Sequence, residues 1–567
     1  MDFSFLRKFL PPKETAAVPR LPPPKHLADF LEREGDPWRK AVRDAQGGPE
    51  ILLASSVGGH AAVRELDMIL AIALTLRGAK VSFLLCDGAL TACEQCTFKM
   101  FKSPWQFVEV GPSNHCQGCF GAGDSTYGAL GLPILKYSDF LSHGDKKSAS
   151  RLAKKTPMTG IPEFKFRGLS VGEHASAGAL RFFARGDLGQ EECAEPVLRR
   201  YFEASLLTAM ALGRLLASRP FRCCSFHHGI YIPQGIIGEV ARQAGVRIAN
   251  WVVAYRKQRF IFSHGDTYHH TLVDEPVSTW ESITWTDKIR HQTEEYLKSR
   301  WQGSQDWIYF HDNPTEDIEQ IRRELQFEIS QPAVLLLTNV IWDAQLHYRA
   351  NAFANMLDWI EQTIRYFSRR QDLNLIIRIH PAEIRGGIPS RQLMAEEIAR
   401  RFPLLPANIR VIGPDKDVST YALALDSDAA IIYGTKTGVE LTSIGIPVIV
   451  AGEAWIRNKG LTEDATSPES YFRLLDSLPK LQRLPEETKI RALKYAYHFF
   501  FRRMIPLRVA EQIPGTKRPF TMVADSIESF SDHSDPGLGV ICRGIIEGAP
   551  FVYHAEDETE DAVVLSS

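Results

Sequence analysis

Short apolar runs without alternation recur along this chain. Each is followed by a loop rich in glycine or hydroxyl residues and then by a stretch of helical periodicity. That rhythm belongs to buried parallel strands covered by helices. The first unit has a strand at 50–54, the loop Ser55-Ser-Val-Gly-Gly-His60, a helix at 61–76 and a strand at 80–85. A polar helix at about 26–45 precedes it. Further on, a helix at 197–218 leads to a strand at 222–226, a loop that begins His227-His228, a helix at 236–244 and a strand at 246–252. The rhythm restarts after Pro332 with strands at 333–338, 373–379, 409–412, 429–433 and 448–450. Helices there run to Arg369, open at Ser419 and span 438–443. The pattern predicts an α/β fold of two Rossmann-like parallel-sheet domains facing a cleft, with no internal repeat relating them.

The expected division is an N-terminal segment and linker (1–47), a first domain (48–315) with an insertion (86–131), a second domain (332–480), a C-terminal helical segment (481–545) and an acidic tail (546–567). A length of 567 residues suits two or three domains. Hydrophobic residues at 44% and charged residues at 24% suit large cores, and a net charge of −2 gives no sign of nucleic-acid binding. No apolar run approaches the roughly 20 residues that span a bilayer, and no signal-peptide pattern opens the chain. Nine cysteines in such a chain suggest a reducing cytoplasm. Residues 1–10 mix Phe and Leu with Arg7 and Lys8. They read as a frayed terminus, with peripheral membrane contact as the alternative, so the expected location is the cytoplasm or the inner face of the plasma membrane. The run Phe499-Phe-Phe-Arg-Arg-Met504 reads as a helix wedged between domains in preference to one lying on a membrane.

Candidate chemistry sits at strand ends. Cys93-Glu-Gln-Cys96 and Cys116-Gln-Gly-Cys119 are two C-x-x-C pairs separated by 19 residues, the spacing of a four-thiolate knuckle pair. They predict a structural metal, zinc in preference to an iron–sulfur cluster, pinning the insertion. The loop ending at His60 lacks the full dinucleotide fingerprint, so a nicotinamide cofactor is not indicated. His60 and His228 lie where open α/β sheets bind ligands. The segment from Ala254 to His270, which contains Asp266, is dense in cations, aromatics and histidines. It reads as a solvated loop or as a site for an anionic, sugar-like acceptor. The stretch around Gly434-Thr-Lys-Thr-Gly438 brings two hydroxyls, a lysine and a helix start to one strand end, a set that suits a phosphate.

The run from Val418 to Gly452, together with Arg378-Ile-His-Pro381 and Lys459-Gly-Leu-Thr462, resembles the capsule polysaccharide biosynthesis family. The resemblance covers roughly residues 333–505. It implies a GT-B glycosyltransferase related to transferases of CMP-linked sugars such as Kdo. The donor nucleotide and phosphate would be held by His380, Pro381, Thr435 and Thr437, with Gly438 beside them. Glu440, one turn on, is placed to accept ribose hydroxyls. Lys436 departs from the family pattern, which has a small hydroxyl residue there, and it points to added positive charge or to a UDP-linked donor. The implied reaction moves a sugar from a CMP- or UDP-linked donor to a hydroxyl of a saccharide or lipid-linked saccharide in surface polysaccharide assembly, without an obligatory catalytic metal. His60 and His228, with Asp266 and Asp87 behind them, are the candidate bases. The competing readings are a CDP-polyol phosphotransferase, a nucleotide-sugar epimerase and a non-catalytic scaffold.

Overall fold

In β1 (Glu50–Ser56) six of seven residues are buried, as expected of a strand covered on both faces. The computed structural model describes residues 21–302, 306–307, 314–324, 331–344, 349–478, 482–512 and 520–557. Segment 1–10, read as a frayed terminus with membrane contact as the alternative, and residues 558–567 of the acidic tail lie outside them. The helix Ala61–Leu76 follows β1, then β2 (Lys80–Leu85), β3 (Ile134–Lys136), β4 (Cys223–His227), β5 (Arg247–Val253) and β6 (Arg259–His264). The second domain contributes β7 (Ala333–Leu337), β8 (Asn374–Arg378), β9 (Ile409–Ile412), β10 (Ala429–Ile432), β11 (Val448–Val450) and β12 (Glu463–Asp464). A last short strand, β13 (Ile505–Pro506), follows.

The first sheet has the order β13-β6-β5-β4-β1-β2-β3 and the second β12-β11-β10-β7-β8-β9. All pairs of the second sheet are parallel. In the first sheet only β6 and β13 run antiparallel to their neighbours. Strand order reverses between β1 and β4 in one sheet and between β7 and β10 in the other. Those are the places where doubly wound sheets open a crevice above their strand ends.

Two regions depart from expectation. Within the segment 254–270, residues Arg259–His264 form β6 with Phe260, Ile261 and Phe262 buried, which corrects the solvated-loop reading of that stretch. Charged residues at its ends masked a short apolar run. The expected separate C-terminal segment instead returns to the first domain. Helix Glu486–Tyr497 runs into a wider π-helical turn at His498–Arg502. Phe499, Phe500 and Phe501 are buried in a core shared by Leu335 and Val439 of the second domain and by Leu272 and Trp280 of the first. At about 1.5–3 kcal/mol for each fully buried side chain, that triplet is a large share of the joint. Beyond it, β13 pairs with β6, and Leu538, Ile541 and Ile545 pack with Ile51 and Leu66. Among the described residues no helix is long and apolar enough to cross a membrane.

Lys459 also ties the domains together. Its side chain is wholly buried, and Nζ donates to the carbonyls of Val273 and Glu275 at 2.8 Å each, at the end of helix Tyr268–Asp274. The Glu275 carboxylate meets His498 Nε2 at 3.0 Å and Arg503 Nε at 3.5 Å. Burial alone would raise this carboxyl; Arg503 and His498 overcome it and hold it at about 2. A carboxylate depressed in the folded state stabilises fully above its unfolded value of about 4.3. That contribution fades as pH falls toward the folded value. Glu275→Gln is therefore expected to unfold at lower temperature than the wild type near neutral pH, with the gap narrowing as pH falls below about 4. Thermal melts across pH test this; a gap that does not change with pH contradicts it.

Candidate functional site

Above the reversal in the second sheet lies a cavity of about 420 Å³, walled by the loops that leave β7, β8, β9 and β10 and closed on the far side by the first domain. Local chemistry fixes each loop. Arg378, almost fully buried at the end of β8, donates to the carbonyls of Gly413, Lys416 (2.9 Å) and Val418 (3.3 Å). It thereby sets the loop after β9, and Ser419 then caps helix Thr420–Leu425 by accepting from the Ala422 amide at 3.2 Å. Of the run Arg378-Ile-His-Pro381, the arginine is scaffolding and the histidine faces the cavity.

The His380 amide donates to Thr338 Oγ1 at 3.0 Å, and its Nδ1 accepts from the Ala382 amide at 3.1 Å. An Nδ1 that accepts places the neutral ring's proton on Nε2, which makes Nε2 a donor. The loop after β10 is held by Gly434 N–H to Asn339 Oδ1 (3.3 Å) and by the Thr435 and Thr437 hydroxyls, 3.1 Å apart. Gly438 serves packing: a Cβ there would stand 2.6 Å from Ile432 Cδ1. The helix Thr437–Ser443 has seven residues, so hydroxyls and side-chain donors, more than a macrodipole, give this wall its character.

Lys436 is not a bare cation. Its Nζ donates to Glu440 Oε1 at 2.9 Å and sits 4.7 Å above the Tyr255 ring. Arg300, from the first domain, donates through Nε to the same oxygen at 2.9 Å and through Nη1 to Asp306. Tyr421 donates to Glu440 Oε2. Two cations and two carboxylates thus form a buried, balanced network across the domain boundary. Burial disfavours the Lys436 ammonium and pulls its pKa down. Burial also disfavours the Glu440 carboxylate, but Arg300 and Lys436 outweigh it and hold that carboxyl at about 2. Glu440, expected to meet ribose hydroxyls, has both oxygens engaged by this network.

Of the candidate bases, His228 lines the cavity. It adopts a left-handed φ of 60° and is followed by Gly229 at 89°, a reversal that turns it away from His227. A Cβ on Gly229 would come within 2.9 Å of Asn250. Burial, with Arg181 nearby, lowers the His228 imidazole to about 4 against the opposing pull of Asp343. His60 stands further back: its ring is 5.2 Å from that of His227, which is 5.6 Å from His228. Burial and Arg181 lower His60 to about 4 as well. Asp266 lies away from the cavity wall, accepting from His270 Nδ1 (3.1 Å), Arg242 Nη1 (3.3 Å) and the Thr267 amide (2.7 Å). Asp87 accepts from the amide and hydroxyl of Ser138.

Among the described residues no three of the patterned cysteines bring their sulfurs within 4.8 Å of one another, although Cys116 lies within electrostatic reach of both Cys93 and Cys119. Cys93 and Cys96 have their sulfurs 3.9 Å apart. Cys119, on helix Ser113–Ala129, accepts from the Gly59 amide at 3.1 Å. Among the described residues the only set of three or more metal-type ligand atoms within 4.8 Å of one another is His60, Glu94 and His227. Glu94 lies between Cys93 and Cys96, where the cysteine pattern concealed it. Sequence reasoning also missed Arg300 and Asp343, which come from segments outside any motif; Tyr255, Tyr268 and His269 reach the cavity from the segment 254–270 that was read as a loop or acceptor site.

Residues 286–484 match the family described as "Capsule polysaccharide biosynthesis protein", which bears out over that span the resemblance read from the second half of the sequence. A comparison with curated proteins finds no match. Among solved structures, the chain is similar to KpsC of Thermosulfurimonas dismutans, a "beta Kdo 2,4 transferase", at 12% identity over 48% of this chain and 79% of that one, TM-score 0.29. It is also similar to S. aureus MnaA in its UDP co-structure, at 13% identity over 51% and 72%, TM-score 0.26. A UDP-GlcNAc 2-epimerase from Neisseria meningitidis matches at 9% identity over 79% and 95%, TM-score 0.23. At these TM-scores the likenesses carry no argument about activity.

Arg300 and Asp306 each expose about 5% of their side chains. Replacing Arg300 with Met strips Asp306 of its cation in a buried setting, a change expected to cost roughly 3 kcal/mol. Denaturant unfolding measures it; a loss below about 0.5 kcal/mol, the range of exposed pairs, contradicts the network as described.

Proposed function

We propose that this chain is a sugar transferase of the GT-B plan that binds a CMP- or UDP-linked sugar in the cavity of its second domain. It passes the sugar to a hydroxyl of a saccharide or lipid-linked saccharide during capsule or lipopolysaccharide assembly. The observation that carries the reading is the convergence of His380, Thr435 and the Ser419–Thr420 helix start on one cavity at the strand-order reversal. All of these residues lie in the span that matches the capsule family.

In this reading the His380 Nε2–H and the threonine hydroxyls donate to the departing phosphate. Lys436 supports them from within its balanced network, where Arg300 and Glu440 fix its position. The acceptor oxygen bonds to the anomeric carbon as the bond from that carbon to the phosphate oxygen breaks. The nucleotide leaves with the electron pair. His228, on the opposite wall, receives the hydroxyl proton, the task of a general base. The stacked pair Trp301 and Tyr421, 5.4 Å between centroids, offers an aromatic face at the cavity edge for the nucleobase.

Thermal melts with CMP, CDP, UDP and GDP test the donor site. A ligand at 100 times its Kd adds about 2.7 kcal/mol of stability. One pyrimidine nucleotide is expected to raise the melting temperature of the wild type, and His380→Ala and Thr435→Ala are expected to abolish the rise. If none of the four nucleotides shifts the wild type, the reading fails. His228→Ala is expected to keep the nucleotide shift while transfer falls by roughly a hundredfold or more. Undiminished transfer removes His228 from the mechanism.

A further inference from the structure

The first sheet reverses strand order between β1 and β4, and the loops leaving those two strands meet. They bring His60 and His227 together with Glu94, which enters from the insertion. One ligand atom from each of the three lies within 4.8 Å of the other two. Around a tetrahedral ion with bonds of about 2.1 Å, ligand atoms stand about 3.4 Å apart, so a closure of the order of an ångström completes the set.

Three further features fit an ion site. The Nδ1 edge of His60 turns back to its own helix start, 3.4 Å from the Val63 amide, which leaves Nε2 as the edge for a ligand. His227 is only 9% exposed, and its Nδ1 has no hydrogen-bond partner among the described residues. Glu94, 5% exposed, accepts from Gln234 Nε2 at 3.2 Å, the outer-shell bond that orients a ligating carboxylate. Arg181 is the nearby cation. Its guanidinium donates from one N–H edge to the Glu94 backbone carbonyl and lays one face over the Tyr231 ring at 5.1 Å.

We propose that His60, Glu94 and His227 form a binding site for a divalent first-row transition cation of the zinc class, distinct from the nucleotide cavity and from the cysteine pairs. Two imidazoles and one carboxylate suit such an ion better than magnesium or calcium, which prefer oxygen ligands. The ion would pin the β1 and β4 loops and the insertion to one another. His228 follows His227 directly in sequence, so the site would also fix the cavity's first-domain wall. The ion's place is behind that wall.

The test uses the full chain, stripped with a chelator and reloaded with zinc or, for spectroscopy, cobalt. The wild type is expected to take up one equivalent by elemental analysis, with a rise in melting temperature. Glu94→Gln, which keeps the side-chain shape and the Gln234 contact, and His227→Gln are each expected to weaken binding at least tenfold and to remove the rise. Cys93→Ser and Cys116→Ser are expected to retain both. The cobalt-loaded wild type is expected to show visible d–d bands of a nitrogen- and oxygen-ligated ion without intense near-ultraviolet thiolate absorption; such thiolate absorption would move the ion to the cysteines and overturn the proposal. So would the absence of stoichiometric metal, or uptake unchanged in both Glu94→Gln and His227→Gln. If a variant does not fold, the cobalt spectrum of the wild type still decides.

Discussion

A parallel sheet whose strand order reverses sends its connecting segments off in opposite directions, and the space above the strand ends at the reversal stays open. Here that constraint operates twice. In the second sheet it opens the cavity between the loops of β7 and β10. In the first it sets the loops of β1 and β4 side by side and brings His60 against His227. The chemistry of both places follows from residues that can occupy a loop after a buried strand: small, hydroxyl-bearing or imidazole side chains on a backbone whose own polar groups must be satisfied locally.

Having two such crevices is useful only if they face each other in a fixed relation. The joint supplies this by burying Phe499, Phe500 and Phe501 in a core to which both domains contribute. Lys459 adds a polar tie to the end of helix Tyr268–Asp274. Arg300 adds a second, reaching across to Glu440 one turn beyond the hydroxyl loop. Because Arg300 and Lys436 share one carboxylate oxygen, the position of the lysine beside the cavity depends on a residue from the other domain. The donor wall is therefore completed by the joint and is not a property of one domain alone.

Much of the scaffold was legible in the sequence because buried parallel strands leave an unambiguous mark. The helix at 61–76 and the strands at 80–85, 409–412 and 448–450 appear with the expected bounds. The edge strands were not legible. β3 has three half-buried residues and β13 only two, both buried; β6, the strand beside β13, hides its apolar run between charged ends. At the site, His380 and Thr435 were readable from motif and position. The state of Lys436 was not, since its partners Arg300 and Asp306 lie more than a hundred residues away in the chain. Glu94 was obscured by the cysteines on either side of it. The return of the chain after Arg502 to the first domain is set by long-range packing, which no local pattern announces.

The central claim is that the second domain's cavity holds a nucleotide. The most direct test is photo-crosslinking with an azido-pyrimidine nucleotide, followed by peptide mapping of the labelled chain. The account predicts label on peptides that wall the cavity, around Trp301, 419–421 or 434–437, suppressed by excess unmodified nucleotide. Specific label confined to the loops after β1 and β4, or no competable label at all, would contradict it.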